Sequence, residues 1–353
     1  DPPRKAAYKA VKTCKTAGIK PVMITGDHKL TAMAIAKDLK IYKDGDAVYT
    51  GQELDAMDDA ALARAVRKAS VFARVSPRHK LRIVRAFQKN GHIVAMTGDG
   101  VNDAPAVKEA DIGVSMGITG TDVTKEAAGV ILLDDNFATL IAAVEEGRVI
   151  YRNIRKFIRY LLSCNVGEVL TMFVGMLLGF PVVLLPIQIL WVNLATDGLP
   201  AIAFCLLYTS DDVMQHPPRR ANEGVFSGGL LFKIIFRGIL IAACTLCTFW
   251  IIQISGGSLE AARTGAFMTL VLTQLIHVFE CKSEEHSIFK IHLFNNKALI
   301  LAVLSSLILL LSVIYIPFLS DIFSTSPLSL NQLIYVALIT LICPIAGAIV
   351  NRK

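Results

Sequence analysis

Six long apolar stretches fill most of the chain between residues 157 and 350, and they constrain its fold more than any other feature. A helix needs about 20 predominantly apolar residues to cross a bilayer, and each stretch has that length. The first 150 residues carry charged side chains throughout, as soluble domains do. The sequence therefore predicts a soluble domain fused to an all-α polytopic transmembrane bundle. The predicted spans are about 157–179, 186–207, 229–254, 262–281, 297–318 and 329–350.

The positive charge of the chain follows the predicted spans. The formal net charge is +7, and basic clusters at 152–159, 217–220 and 351–353 flank apolar stretches. Basic residues beside spans are typical of cytoplasmic loops. We therefore expect cytoplasmic loops and contact with membrane lipid, and we expect no nucleic-acid partner.

The soluble part alternates short apolar runs with helical patterns. This alternation predicts an α/β fold with a parallel sheet that is wrapped by helices on both faces. Reactive groups of such sheets gather at the carboxyl ends of the strands. The predicted strands lie at 19–25, 71–75, 92–97, 111–116 and 128–134, and residues 42–51 read as a turn-rich stretch.

A proline-free helical pattern links the two parts. It extends from Asn136 to about Leu161 and runs into the first apolar span. We therefore divide the chain into a soluble domain at 1–140, a stalk helix at 141–156 and a transmembrane domain at 157–353.

Three predicted strand ends carry groups suited to magnesium and phosphate. Asp99, Asn102 and Asp103 follow one strand, and carboxylates at such a position can hold Mg²⁺ while helix N-terminal amides favour anions. Lys80 begins a neighbouring helix and can neutralise a phosphoryl group. Thr25 and Gly26 follow another strand and offer a hydroxyl and an amide. Taken singly, each residue also reads as an ordinary turn or cap residue.

Two predicted spans carry polar groups at helical spacing. Asn165 and Glu168 share one helix face, and Asn193, Thr196 and Asp197 share another. An ionisable group inside a span is expensive and indicates a functional site. Hydrogen bonding between helices is the alternative, and it fits Asn165 or Thr196 alone better than it fits the two carboxylates.

A third span could contribute Gln274, with His277 one turn later, although both also fit ordinary packing. Together the polar groups supply at most eight side-chain oxygens, and Ca²⁺ takes six to eight. Eight oxygens suit one full Ca²⁺ site or parts of two sites. The count does not exclude a site for monovalent ions. Several helix-breaking residues bracket these positions, as in broken helices that expose carbonyls, namely Gly167, Gly179, Pro181, Pro186, Gly198 and Pro200.

At this point the residues resemble a known family, the P-type cation-transporting ATPases. Four segments resemble the motifs of its phosphorylation domain: DPPR (1–4), MITGD (23–27), VFARVSPRHK (71–80) and TGDGVNDAP (97–105). Two further segments resemble the calcium-site helices of the sarcoplasmic- and endoplasmic-reticulum pumps: NVGEV (165–169) and WVNLATDGLPA (191–201).

The resemblance implies a haloacid-dehalogenase-like phosphorylation domain, a Rossmann-like α/β fold, followed by the last six of ten spans. It implies that Asp99 and Asp103 hold Mg²⁺. The implied catalytic set is Lys80, Thr25, Gly26, Asp27, Asn102 and Asp103. The implied hinge toward a nucleotide domain is Asp1, Arg4 and Asp27. The implied Ca²⁺ ligands are Asn165, Glu168, Asn193, Thr196 and Asp197, with Gln274 as the further candidate named above.

Some family motifs are not among the 353 residues. These are the DKTGT of the phosphorylated aspartate, the TGE loop and the PEGLP helix. We therefore expect a C-terminal portion that does not turn over alone and that depends on the rest of the same protein, where ATP mainly binds. Reticulum-type pumps have a glutamate at the position of Gln274, whereas plasma-membrane-type pumps have glutamine there but lack a carboxylate at the position of Glu168. The number of ions per cycle stays open.

The leading hypothesis is ATP-driven Ca²⁺ transport through an aspartyl phosphate, with protons as the counter-ion. We expect a multi-pass protein of the plasma membrane or the endoplasmic or sarcoplasmic reticulum, with the phosphorylation domain in the cytoplasm. The alternatives are a P-type pump for Mn²⁺, Na⁺/K⁺ or H⁺, a membrane-tethered phosphatase, and a channel or scaffold. The phosphatase leaves the intramembrane carboxylates unexplained, and the channel leaves the phosphate motifs unexplained.

Overall fold

The computed structural model describes residues 3–205, 213–220, 223–282 and 296–350. The chain divides into two compact units. The first comprises the chain up to Val149 together with the segment Ser210–Glu223, and the second comprises Ile150–Thr209 and Gly224–Lys353. Our division into three domains remains a prediction.

The first unit contains six short strands, eight α-helices or parts of α-helices, and a 3-10 turn at Val101–Asp103 in its described residues. Its strands are β1 (Met23–Ile24), β2 (Ala47–Thr50), β3 (Ala69–Ala73), β4 (Ala95–Gly98), β5 (Ile112–Met116) and β6 (Val130–Leu132). Its helices are α1 (Lys5–Thr16), α2 (Lys29–Asp38), α3 (Gly51–Asp55), α4 (Asp59–Ala65), α5 (Pro77–Lys89), α6 (Ala104–Glu109), α7 (Asp122–Ala127) and the start of α8 (Phe137–Leu177).

All strand pairs described in this unit are parallel, which confirms the predicted α/β fold. The strands form two three-stranded sheets in the orders β1-β3-β2 and β4-β5-β6, where one continuous sheet was expected. The prediction also missed β2 by reading 42–51 as turns. Four residues give too short a pattern to recognise, and β2 is held by its parallel register with β3, in which Tyr49 pairs with Phe72.

Helix α5 carries one of the predicted site residues, and its ends follow ordinary capping rules. Ser76 is the N-cap, Pro77 occupies the first turn, and the Ser76 and His79 side chains bond each other's backbone amides. Ile83 and Phe87, four residues apart, pack with the buried strand residue Phe72. Burying this face fixes which side of α5 remains available for the site.

The second unit is helical in its described residues. It contains the rest of α8 together with α9 (Pro186–Trp191), a π-helical turn (Val192–Thr196), α10 (Gly198–Cys205), α11 (Leu230–Ile254), α12 (Leu259–Glu280), α13 (Lys297–Tyr315), α14 (Pro317–Phe323) and α15 (Leu330–Val350). Six helices in the described residues are long and apolar enough to cross a membrane, which agrees with the six predicted spans and with a multi-pass membrane protein. They are Phe137–Leu177, Pro186–Phe204, Leu230–Ile254, Leu259–Glu280, Lys297–Tyr315 and Leu330–Gly347.

Helix α8 is a single element of 41 residues, so the predicted passage from a charged helix into the first span is confirmed. The predicted break near Gly167 is wrong, because α8 continues through this position. A Cβ at Gly167 would lie 2.8 Å from the Ile241 side chain, so the glycine permits close helix packing. The fifth span ends earlier than predicted, at Tyr315, because Pro317 begins a new helix.

The second span is broken as predicted. Between α9 and α10 the backbone forms a π turn in which the amide of Asp197 bonds the carbonyl of Val192 at 2.8 Å. π turns widen a helix locally and often occur at functional sites. The turn contains three of the predicted cation-site residues, Asn193, Thr196 and, at its end, Asp197.

Candidate phosphate and cation sites

The loop after β1 lies against the segment that leads into α5. The Thr25 hydroxyl donates to Oδ2 of Asp27 at 2.9 Å, and the Asp27 amide donates back to the Thr25 hydroxyl at 3.1 Å. The amides of Arg74 and Val75 donate to the carbonyls of Asp27 and Thr25. The structure thus places the predicted residues Thr25, Gly26 and Asp27 beside the start of the helix that carries Lys80.

Lys80 in turn reaches the loop after β4. Its ammonium donates to Oδ1 of Asp103, which is only 7% exposed, while Oδ2 accepts from the amides of Asp99 and Gly100 at 3.4 Å. Gly98 makes this position possible, because a Cβ there would lie 2.4 Å from the Cβ of Asp103. The three predicted groups, from β1, α5 and β4, therefore belong to one connected neighbourhood.

Asp99 and Asn102 are exposed beside this buried ion pair. The Asp99 carbonyl accepts from the Thr121 amide, which fixes the backbone while the carboxylate stays accessible. Magnesium usually keeps several waters and needs one or two carboxylates plus phosphate oxygens. One open carboxylate and one lysine-paired carboxylate, four residues apart, fit that donor set.

The predicted hinge residues do not form one group in the described structure. Arg4 donates to the Asp135 carbonyl at 2.8 Å, whereas Asp27 contacts Thr25, and Asp1 lies outside the described residues. The Asp135 carboxylate accepts from the amides of Ile118 and Thr119 and from the Thr119 hydroxyl, at 2.8 to 3.0 Å. Led by the Ile118 amide, these donors lower the pKa of Asp135.

In the second unit, three predicted residues from three helical segments meet. Glu168 on α8 is 4% exposed, and its two oxygens accept from different amides. Gln274 Nε2 on α12 donates to Oε1 at 2.9 Å, and Asn193 Nδ2 in the π turn donates to Oε2 at 2.8 Å. Burying a carboxylate is tolerable when both oxygens are hydrogen-bonded in this way.

Asp197 ends the π turn that carries Asn193, and it is 1% exposed. Its Oδ1 accepts from the Tyr160 hydroxyl at 2.8 Å. Its Oδ2 and the Oε1 of Gln274 are buried and have no hydrogen-bond partner among the described residues. Buried acceptors without donors are rare in folded proteins, and a bound cation would satisfy both.

The π turn is held from a neighbouring helix. Ser306 on α13 is fully buried and donates to the Thr196 carbonyl at 3.1 Å. The Thr196 hydroxyl itself donates to the Val192 carbonyl at 2.9 Å. Because this hydroxyl is engaged within its own turn, only its lone pairs could face a cation.

The structure does not bring Asn165 to the carboxylates. Asn165 is exposed, and its amide donates to the carbonyl of Leu161, one turn earlier on α8. Polar side chains in apolar helices often satisfy themselves in this way. His277 likewise bonds Glu280 at 2.9 Å and Cys281 at 3.3 Å, which fits the packing alternative for that residue. A role of Asn165 as a ligand stays a prediction.

The sequence analysis missed a buried ion pair. Arg237 on α11 lies 2.9 Å from Glu280 on α12 and donates to the Cys343 carbonyl on α15 at 2.7 Å. Both charges fall within apolar helices, so the rule that flagged Glu168 would also have found them. Tyr160 and Ser306 were missed as well, because a lone hydroxyl in an apolar run gives no comparable signal.

Comparison with known proteins supplies independent evidence. Residues 181–352 match the family model described as the C-terminus of cation-transporting ATPases. Residues 1–111 match the haloacid dehalogenase-like hydrolase model. The chain is 54% identical to a calcium-transporting ATPase of Bacillus subtilis over 356 residues, covering 100% of this chain and 40% of the relative.

Two eukaryotic relatives are also similar, at lower identity. An endoplasmic reticulum calcium ATPase of Aspergillus fumigatus is 40% identical, with 94% of this chain and 38% of the relative covered. The human calcium-transporting ATPase type 2C member 1 is 41% identical, with 99% of this chain and 38% of the relative covered. The chain therefore spans about two fifths of the length of the relatives that it matches.

Proposed function

Because the chain belongs to the P-type cation-transporting ATPases, we propose that the protein uses ATP to move Ca²⁺ across a membrane through an aspartyl phosphate. The observation that carries this proposal is the pair of buried carboxylates, Glu168 and Asp197, on adjoining apolar helices. Beside them, Asp197 Oδ2 and Gln274 Oε1 are acceptors without donors. Such an oxygen-rich, membrane-embedded group suits a cation of high coordination number.

At the phosphate site, the chain's own residues would orient a phosphorylated aspartate. Lys80 would neutralise phosphoryl charge, and the Thr25 hydroxyl, Gly26 amide and Asn102 side chain would donate to its oxygens. Asp99, with Asp103 beside it, would hold Mg²⁺, which supplies Lewis-acid charge when bound. Asp27 would keep the Thr25 hydroxyl in place.

The nucleophile would come from a part of the protein outside these 353 residues, since no DKTGT occurs in them. Strands β1 and β4 each pair on one side only among the described residues, and the residues proposed to bind phosphate follow their carboxyl ends. A strand added to either free edge would bring its own carboxyl end to the same place. The nucleotide would bind mainly in that further part. The resemblance puts Asp1, Arg4 and Asp27 at the hinge toward it, and Arg4 and Asp27 would act there from separate positions.

Helix α8 would couple phosphorylation to cation binding, because it contributes residues to both units and carries Glu168. Protons would replace Ca²⁺ on the empty return, since a bare buried carboxylate is costly without a positive partner. The first unit would face the cytoplasm, in a plasma or reticulum membrane. In this scheme Asn165 and Thr196 would complete the ligand set after local rearrangement.

The test is ATP-driven uptake of ⁴⁵Ca²⁺ by the full-length protein in sealed vesicles. We expect uptake by the wild type, near-complete loss in Asp197→Asn, and retention in Asp321→Asn, an exposed residue of α14. Full uptake by Asp197→Asn would refute the assigned site. ATPase activity stimulated by Mn²⁺, Na⁺ or K⁺ but not by Ca²⁺ would establish a different specificity.

A further inference from the structure

Tyr160 is a fully buried residue of α8 that neither the motifs nor the proposed ligand set includes. Its hydroxyl donates to Oδ1 of Asp197 at 2.8 Å, while Oδ2 of the same carboxylate has no hydrogen-bond partner among the described residues. The two oxygens of Asp197 are therefore not equivalent.

The tyrosine ring is itself held from two sides. Its centroid lies 5.9 Å from that of Phe204 on α10 and 6.3 Å from that of His277 on α12. His277 is kept in place by Glu280. Because the ring is wedged between helices, the hydroxyl has little freedom to leave Asp197.

We propose that Tyr160 is a positioning residue that determines how the transported cation meets Asp197. By occupying Oδ1, the phenol leaves only Oδ2 open, so Asp197 contributes one oxygen to the cation. This inference rests on the proposed function of the site.

The consequence concerns cation selectivity. A carboxylate can bind a cation through one oxygen or through both, and larger cations with more ligands gain more from the second oxygen. The hydroxyl hydrogen on Oδ1 carries partial positive charge and opposes that second contact. Tyr160 thus favours Ca²⁺ over the larger Sr²⁺, because it keeps the number of available oxygens low.

Tyr160→Phe is the variant of choice, since it removes one oxygen atom and keeps the ring contacts. If Tyr160 acted only in packing, loss of folded protein would reduce the signals of both cations equally. The ratio of the affinities for Ca²⁺ and Sr²⁺ would therefore stay constant if Tyr160 had a structural role alone.

The experiment uses the full-length protein in membranes. Equilibrium binding of ⁴⁵Ca²⁺ is competed with unlabelled Ca²⁺ or Sr²⁺, and phosphorylation from ATP is titrated with each cation. We expect the preference for Ca²⁺ over Sr²⁺ to fall by about fivefold in Tyr160→Phe, the equivalent of one hydrogen bond. Tyr315→Phe, at a residue 45% exposed at the end of α13, serves as the matched control and should leave the preference unchanged.

A second variant tests the same proposal if Tyr160→Phe yields too little folded protein. Phe204→Leu loosens the wedge around the ring while the hydroxyl remains, and it should shift the preference in the same direction by a smaller factor. An unchanged Ca²⁺/Sr²⁺ preference in either recovered variant overturns the assignment to Tyr160. Failure of the wild type to bind Ca²⁺ is a different result, because it refutes the proposed function itself.

Discussion

Nε2 of Gln274 donates to Oε1 of Glu168 at 2.9 Å, which joins helices α12 and α8 in the candidate cation site. Nδ2 of Asn193 donates to the other oxygen of Glu168, Oε2, at 2.8 Å. A cation can replace these donors only if the two amides turn their oxygens toward it. In the proposed site both amides would therefore have two roles, as donors to the empty carboxylate and as ligands for a bound ion.

Replacing Gln274 by Ala should weaken Ca²⁺ binding by about tenfold, or about 1.4 kcal/mol. The variant removes one ligand oxygen and leaves Glu168 Oε1 buried without its donor. Equilibrium ⁴⁵Ca²⁺ binding to the full-length protein measures the effect. Gln253→Ala, at an exposed position near the end of α11, is the matched control. Equal affinities in the two variants would contradict a role of Gln274 at the site.

Replacing Lys80 by Ala should reduce phosphoenzyme formation from inorganic phosphate and Mg²⁺ by about 100-fold, the usual loss for one group that stabilises developing charge. The variant also leaves the buried Asp103 carboxylate without the lysine ammonium that pairs with it. Acid-quenched ³²P incorporation into the full-length protein is the measurement. Lys108→Ala, exposed on α6, should behave as the wild type. Normal incorporation by Lys80→Ala would exclude Lys80 from the phosphate site.

Removing the charge of Arg237 should destabilise the second unit strongly. Arg237→Met leaves the buried Glu280 without its arginine partner and with only the His277 contact, at a cost of about 3 to 5 kcal/mol. Adding Glu280→Gln removes the uncompensated charge and should restore part of the loss. Thermal unfolding in detergent, followed by tryptophan fluorescence, compares the variants. A double variant as unstable as Arg237→Met would show that the pair is not coupled.

The loop around Asp135 should lose stability in acid. Its donors, led by the Ile118 amide, lower the pKa of Asp135 in the folded state. The stabilisation is therefore fully present above the ordinary pKa of about 4 and is lost as the pH falls through the lower, folded value. Hydrogen exchange of the segment 117–136, corrected for intrinsic rates, should show protection that decreases over this range.

Asp135→Asn provides the control for that experiment. Asp135 has a positive φ of 49°, which asparagine tolerates well, so the variant removes charge with little backbone strain. Its protection should be lower at neutral pH and less dependent on acid. Wild-type protection that stays constant down to about pH 2 would contradict the hydrogen-bond explanation of the shifted pKa.

Prediction from the sequence succeeded for long periodic helices and for charged residues that are energetically expensive inside an apolar span. Helix α8 and the apolar spans are recognisable from length and period, and Glu168 and Asp197 are recognisable because charge inside a span is expensive. Strand β2 was missed because four residues among turn formers give no period. The supposed break at Gly167 was wrong because the same residue type also permits two helices to pack closely.

The side-chain partners within the site could not be predicted in the same way. Tyr160 and Ser306 reach the site only through the rotation of their helices, and that rotation is set by packing of the whole bundle. Asn165 shows the converse. Its spacing from Glu168 suggested a shared face, yet its amide bonds Leu161 because the i−4 carbonyl is the nearer partner.

The central claim is that Glu168 and Asp197 together bind the transported Ca²⁺, and equilibrium ⁴⁵Ca²⁺ binding to the full-length protein tests it most directly. Glu168→Gln and Asp197→Asn keep the shape of each side chain and remove its charge, while Asp321→Asn controls for loss of a carboxylate elsewhere. We predict saturable binding by the wild type and Asp321→Asn, with affinity lowered at least about 100-fold in each of the other two variants, equivalent to about 2.7 kcal/mol. Wild-type affinity in both Glu168→Gln and Asp197→Asn would contradict the claim.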